Sequence, residues 1–287
     1  MILVTGASGT IGQILIETLL AQGFPFRAAY HNPAKATAAR ARGIETAIID
    51  MHQPETLPPA LEAIETVFLL GSGVRAQEEM EINLVEVAKT AGASRIVKLS
   101  AWAAPQEQYR VAGIHRAVER HIEASGLAWT FLRPNGFMQN FLHMAEQIRA
   151  QGAIYMPAGD ALISHVDARD IARVASKILT DSGHEGKAYE LSGPAALGYA
   201  DVAAILSRSL GRPITYVAVE DTVAQEAMIA DGMPEFYAEA MIDLFRVYRT
   251  GIAAAISNAV EDITGSPATP FARFVQNHRA VFGIDAP

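Results

Sequence analysis

From Met1 to Pro134, short apolar runs alternate with stretches whose apolar positions recur at helical spacing. The runs are Ile2–Val4, Phe26–Tyr30, Thr46–Ile49, Thr66–Leu70, Arg95–Leu99 and Trp129–Leu132. Helical patterns lie between them, near Ile11–Gln22, Lys35–Arg42, Pro58–Ala63, Gln77–Ala91 and Ile114–Ser125. This alternation predicts repeated βαβ units and a parallel sheet. Gly23, Gly43, Gly92 and Gly126 each stand just past a helical pattern, where a left-handed cap favours glycine.

After Arg133-Pro134 the pattern changes. Asn135–Gln151 reads as a helix rich in Phe and Met, with Asp167–Leu179 and Tyr199–Leu210 as further helices. Ile163–Val166, Lys187–Leu191 and Ile214–Val219 read as strands, and the chain from Asp221 onward is mainly helical. No internal repeat and no Pro/Gly-rich linker separates the two halves, so any second domain is interleaved with the first.

Composition narrows the chemistry. The chain has 287 residues, half of them hydrophobic and 19% charged, which is enough for a sizeable core. A net charge of -8 argues against nucleic acid as a partner, since phosphate binding needs a basic face. The absence of cysteine removes disulfides, thiolate nucleophiles and Cys-based metal sites. The eight histidines show no metal-binding spacing; His115 and His121, six apart, do not share a helical face. The first residues read as a strand entering a turn, not as a signal peptide. Gly251–Val260 is too short to span a bilayer and runs into Glu261 and Asp262. A cytoplasmic protein without membrane or metal is expected.

The most informative motif is Gly6-Ala7-Ser8-Gly9-Thr10-Ile11-Gly12, placed between the first strand and the first helix. In such a turn one glycine permits the bend and one lets backbone approach a pyrophosphate. The third allows helix and strand to pack closely. The anion then sits at the helix N-terminus, where free N–H groups and the dipole favour it. Gly6, Ser8, Gly9, Thr10 and Ile11 are therefore expected to line a dinucleotide pyrophosphate. NAD recognition places an acid at the end of the second strand. Here that end reads Tyr30-His31-Asn32-Pro33-Ala34-Lys35, without one. His31, Asn32 and Lys35 suit a 2′-phosphate, so NADP(H) is preferred over NAD(H). Asp50, closing the third strand, suits the adenine amino group or a turn cap. Gly71-Ser72-Gly73 ends the fourth strand, where it would line ribose and pyrophosphate.

The expected fold is thus α/β, a Rossmann-type doubly wound parallel sheet with a smaller, mostly helical, interleaved C-terminal substrate domain. Residues 1–134 form the dinucleotide-binding part, completed by strands within 160–192. Residues 135–159 and 193–287 form the substrate-binding part.

Four segments carry a family resemblance: Thr5–Gly12, His31-Asn32-Pro33, Ser125–Pro134 (SGLAWTFLRP) and Val166–Ala172 (VDARDIA). Together they resemble the NmrA-like branch of the atypical short-chain dehydrogenase/reductases. Within it the layout is most similar to the NAD(P)H:quinone oxidoreductase and triphenylmethane-dye reductase group. The resemblance covers nearly the whole chain and implies a nicotinamide cofactor. It also implies that Pro134, Asn135 and Phe137 support the nicotinamide carboxamide. Members of this branch often carry arginine before Asn-Pro to contact the 2′-phosphate, where this chain has His31.

The Tyr-x-x-x-Lys pair of typical short-chain dehydrogenases is missing, since Gly113 stands four places after Tyr109. Reductases of the branch that keep a catalytic lysine place it at the position of His115, and dye-reductase-like members resemble this chain in having His there. Glu119, one helical turn on, is expected to orient the imidazole. His115 then acts as general acid or as a ligand to the nicotinamide ribose. Ser100, at the carboxyl end of the fifth strand, stands where ligands collect. Phe137, Met138, Phe141 and Met144 form an apolar stripe that suits core or substrate wall, and Trp102 and Phe236 are similar candidates.

These features imply an NADP(H)-preferring reductase that passes hydride to a quinone-like or other aromatic, conjugated electrophile. Such an acceptor takes hydride with little acid assistance, which fits the missing Tyr-Lys pair. A non-catalytic NADP-sensing regulator of the NmrA type is the main alternative. A nucleotide-sugar epimerase-like enzyme is a weaker one, for want of its Tyr-x-x-x-Lys. The expected partner is a small aromatic molecule, and the sequence leaves monomer and homodimer open.

Overall fold

Among the described residues, nine strands form two sheets. The computed structural model describes residues 1–71 and 76–283. The strands are β1 (Ile2–Val4), β2 (Phe26–Tyr30), β3 (Thr46–Ile48), β4 (Thr66–Leu69), β5 (Arg95–Leu99), β6 (Ala128–Pro134), β7 (Ala153–Met156), β8 (Lys187–Leu191) and β9 (Thr215–Ala218). Two compact units share the chain. Met1–Pro105, Ala112–Arg133 and Ile171–Glu190 form one, and Gln106–Val111, Pro134–Asp170 and the chain from Leu191 form the other.

The first unit is built on a seven-stranded sheet in the order β3-β2-β1-β4-β5-β6-β8. Every pairing from β3 through β6 is parallel, with Val4 opposite both Ala28 and Phe68. All three residues of β1 are buried, as expected for a central strand covered on both faces. Leu3, Val67, Ile96, Val118, Ile122 and Phe131 belong to one core cluster of the unit. Strand order reverses between β1 and β4, and the crevice beyond the carboxyl ends there is where open α/β sheets bind ligands. The four glycines predicted to stop helices all take positive φ. Gly23, for instance, closes the helix Thr10–Gln22 and returns its N–H to the last carbonyls.

The second unit pairs β7 and β9 in a two-stranded parallel sheet. Its core is strongly aromatic, built around Phe141, Tyr199, Phe245, Tyr248, Phe271 and Phe274. Three details depart from the sequence reading. Asn135–Gln151 is not one helix: helices cover only Asn140–His143 and Ala145–Gln151. Residues 135–139 stay outside the helix, as Gly136 and Met138 exchange backbone hydrogen bonds with Val166 at 2.9 Å each. Ile163–Val166 is not a strand of either sheet, because its N–H groups go to three different segments. Ile163 pairs with Leu197, Ser164 donates to Ala253 and Val166 to Gly136. Of the run 160–192, only Lys187–Leu191 joins the large sheet. β7 was not anticipated; it starts at Ala153, just past the Phe- and Met-rich stretch that ends at Gln151.

Candidate active site

The glycine-rich turn gives each glycine a distinct physical reason. Gly6 takes φ +61°, and a Cβ there would also sit 2.6 Å from the Leu70 side chain. A Cβ on Gly12 would lie 2.2 Å from the Gly6 carbonyl oxygen, so the helix could not reach the turn. Gly9 differs. Its φ of -84° suits any residue, and the nearest atom to an added Cβ is 3.3 Å away. An added Cβ there needs only a few tenths of an ångström of give from the Gly6 carbonyl oxygen, far less than at Gly6 or Gly12. Gly9 is also the N-cap of Thr10–Gln22 and supplies no side-chain cap, so the first helical N–H groups are left for an anion. Thr10 and Ile11 open that helix, with Ser8 and Thr10 exposed and Ile11 buried.

A cleft of about 340 Å³ opens beside the turn and is lined by Gly6, Ser8, His31 and Asp50, together with Ile49, Met51 and Leu70. The structure therefore brings together predicted residues from the ends of β1, β2 and β3. Asp50 spends Oδ1 on the His52 N–H at 3.0 Å, which forms a turn as one of its two readings required. Asn32 caps the helix Pro33–Arg40, its Oδ1 accepting from Ala34 and Lys35 N–H groups at 2.9 and 3.3 Å. That leaves only its NH₂ group for a phosphate. His31 and Lys35 are exposed. Ser72 and Gly73 lie outside the described residues.

At the carboxyl end of β5 the arrangement differs from the sequence reading. Glu119 does not orient His115. Its fully buried carboxylate accepts from Ser100 Oγ at 2.7 Å, from Arg133 Nε and Nη2 at 2.9 Å each, and from Arg116 Nη1 at 3.0 Å. Burial would raise the Glu119 carboxyl, but these hydrogen bonds and the Arg133 charge outweigh it and hold it below its usual range. Arg133 also faces Glu190, 3.6 Å from Nη1. Burial pushes Glu190 up to about 7 against the pull of Arg133, and the Glu119 charge adds to the rise. Glu190 accepts from the N–H of Ala103, which has the left-handed φ of 55°. His115 is 9% exposed, and its Nδ1 is buried without a hydrogen-bond partner. Burial first, and the Lys98 charge second, hold this imidazole well below its ordinary range. It is neutral at physiological pH, which makes it a poor proton donor.

Sequence reasoning missed Lys98 and Glu81, a fully buried ion pair. Glu81 Oε1 also accepts from Gly71 N–H at 3.1 Å and Gln77 Nε2 at 3.0 Å. A Cβ on Gly71 would lie 2.3 Å from that oxygen, so glycine leaves room for the Glu81 carboxylate where the backbone turns out of β4. The available signal was a lysine inside an otherwise apolar strand run, since a buried ammonium demands a partner.

In the second unit, two predicted wall residues are corrected to core. Met138 and Phe141 are 2% and 1% exposed. Phe141 packs edge-on against His165 and Phe271, with ring centroids 5.1 and 4.9 Å away. Asn135 is buried as well. Its NH₂ binds Ser164 Oγ and the Ala253 carbonyl, both at 2.9 Å, and its Oδ1 takes the Gly136 N–H, so the amide is occupied holding the loop. Pro134 is buried, whereas Phe137 and Phe236 are half-buried. Trp102, in the first unit, is buried at 8% exposure. No described helix is long and apolar enough to cross a membrane, and no described cluster could hold a metal ion.

Comparison with known proteins follows the same lines. The chain is 42% identical to the NAD(P)H azoreductase of Xenophilus azovorans, over 99% of both chains. It superposes on the NADPH-dependent quinone oxidoreductase of Escherichia coli, solved with NADPH, with a TM-score of 0.91 and 30% identity, covering 97% of this chain and 100% of that one. The Citrobacter triphenylmethane reductase, solved with NADP(H), gives 0.87 at 26% identity, covering 96% and 99%. The model of the NmrA-like family matches residues 1–265. The chain belongs to the NmrA-like family.

Proposed function

We propose that this protein is an NAD(P)H-dependent reductase of quinone-like or other aromatic, conjugated electrophiles. The observation that carries the cofactor reading is Gly9, whose φ any residue can adopt and which stands at an uncapped helix N-terminus beside the cleft. The N–H groups of the first helical turn would take the pyrophosphate there, and Gly6 and Ser8 would flank it. The similarity to an azoreductase and a quinone oxidoreductase supports reduction of an aromatic acceptor.

When bound, the reduced nicotinamide supplies a hydride. The chain's own residues orient it and shield it. His115, neutral, can hold a ribose hydroxyl but lends little acid assistance. An acceptor that spreads the incoming charge over a ring system suits a site of this kind.

NADP(H) is the preferred cofactor in this reading. No acid stands at the end of β2, and His31 and Lys35 flank it on the exposed side. Replacing His31 by Asp adds an acceptor for a free 2′-hydroxyl and repels a phosphate. Dissociation constants of NADPH and NADH for His31→Asp should shift toward NADH by about tenfold or more. An unchanged ratio places the phosphate elsewhere. Steady-state NADPH oxidation with a panel of quinones and aromatic dyes tests the reductase reading itself. Binding of NADPH with no oxidation by any of them would favour a sensor.

A further inference from the structure

Ser100 directly follows β5, and its Oγ lies 2.7 Å from Glu119 Oε1. A carboxylate can only accept, so the hydroxyl hydrogen points into the protein. Three elements converge to fix this polarity. Glu119 comes from the helix Arg110–Ala124, Arg133 from β6 and Ser100 from the end of β5. Arg133 clamps the buried carboxylate through two nitrogens and Arg116 adds a third contact, so the carboxylate stays ionised and cannot return a proton to Ser100. What remains on Ser100 Oγ is acceptor capacity.

We propose that Glu119 is a positioning residue which sets Ser100 as a hydrogen-bond acceptor for a hydroxyl or amide hydrogen on the nicotinamide half of the cofactor. The inference rests on the cofactor reading above and adds a direction to it. A serine held this way cannot polarise a carbonyl oxygen or hand over a proton. It can hold a ribose hydroxyl or a carboxamide NH₂, both donors. With Ser100 committed as acceptor and His115 neutral, neither predicted catalytic residue serves as an acid.

Binding of NADPH and of 2′,5′-ADP, which lacks the nicotinamide half, tests this on Ser100→Ala, Ser100→Thr, Glu119→Gln and the Ser100→Ala/Glu119→Gln double variant. Ser100→Ala and Glu119→Gln should each weaken NADPH by about tenfold, the scale of one hydrogen bond. Ser100→Thr, which keeps the hydroxyl, should bind within a fewfold of wild type, and 2′,5′-ADP should bind all variants alike. The double variant should be no weaker than the worse single, because both changes remove the same interaction. Additive losses, or equal losses for 2′,5′-ADP, would assign Glu119 a structural role and overturn the proposal. Unchanged NADPH affinity in Ser100→Ala would do the same even if Glu119→Gln fails to fold. Wild-type protein that does not bind NADPH would overturn the cofactor reading and this proposal with it, a result distinct from the others.

Discussion

Lys98 and Glu81 meet as an ion pair with neither side chain exposed, joining the middle of β5 to the helix Gln77–Thr90. Glu81 in turn holds the Gly71 N–H, so the pair ties the sheet to the backbone leaving β4. Taking one partner away leaves a buried charge uncompensated, which costs about 3–5 kcal/mol. Lys98→Met should therefore lower stability to denaturant by that order. Lys98→Met/Glu81→Gln should recover part of it, since Gln keeps an acceptor for Gly71 and Gln77. A Lys98→Met variant as stable as wild type would show that the pair does not anchor this part of the sheet.

The glycine-rich turn allows fold and binding to be separated by mutation. Gly12→Ala drives a methyl group into the Gly6 carbonyl, a backbone contact that cannot swing aside, and should destabilise the first unit strongly. Gly9→Val should leave the melting temperature near wild type and abolish NADPH binding, because its side chain occupies the ligand's approach. Thermal unfolding and cofactor titration on the two variants distinguish the roles. A folded Gly9→Val with wild-type NADPH affinity would leave the turn purely structural.

A buried imidazole and a half-buried carboxyl give stability opposite dependences on pH. His165 is held at about 4 by burial. Its unfolded imidazole takes a proton below about 6.5, whereas the folded one refuses it until about 4. Stability is thus lost as pH falls through that window, by about 3 kcal/mol in all. His165→Asn should gain on wild type by that order between pH 7.5 and 4. Glu190 works the other way. The folded carboxyl keeps its proton up to about 7, so stability is lost as pH rises from about 4.5 through 7. Its side chain is 35% exposed, and solvent screening keeps the effect small. Glu190→Gln should gain on wild type as pH rises from 4.5 to 8, and parallel curves for either variant would contradict the assignment.

The sheet was legible in the sequence because its strands are short apolar runs closed by glycine-capped helices, and both signals are local. The glycine-rich turn was legible for the same reason. The partners of Glu119 were not. An i, i+4 rule pointed it at His115, while the folded chain brings Ser100 and Arg133, 19 and 14 positions away, onto the same carboxylate. The packing of Asn135 and Phe141 was out of reach for a related reason. Their types suit a ligand site, but their neighbours Ser164, Ala253 and Phe271 are supplied by distant segments. The irregular backbone at 135–139 and 163–166 escaped notice because its hydrogen bonds are shared among several strands of chain, leaving no periodicity to read.

His115 provides a test of the chemistry. A general acid usually contributes about 100-fold or more. A neutral, buried imidazole that only holds the cofactor should contribute less to the rate and more to binding. His115→Gln should weaken NADPH severalfold and leave the shape of the pH–rate profile unchanged between pH 5.5 and 8. A wild-type limb near 6.5 that vanishes in the variant would show that His115 does donate a proton.

Direct hydride transfer from the nicotinamide to an aromatic acceptor is tested most directly by stopped-flow oxidation of NADPH deuterated at C4. Enzyme loaded with NADPH and mixed with a quinone should lose the reduced-nicotinamide absorbance. Deuterium on one face of C4 should slow that loss severalfold, and deuterium on the other face should not. Enzyme that holds NADPH but leaves its absorbance unchanged with every quinone and aromatic dye supplied would contradict the account and identify a cofactor sensor.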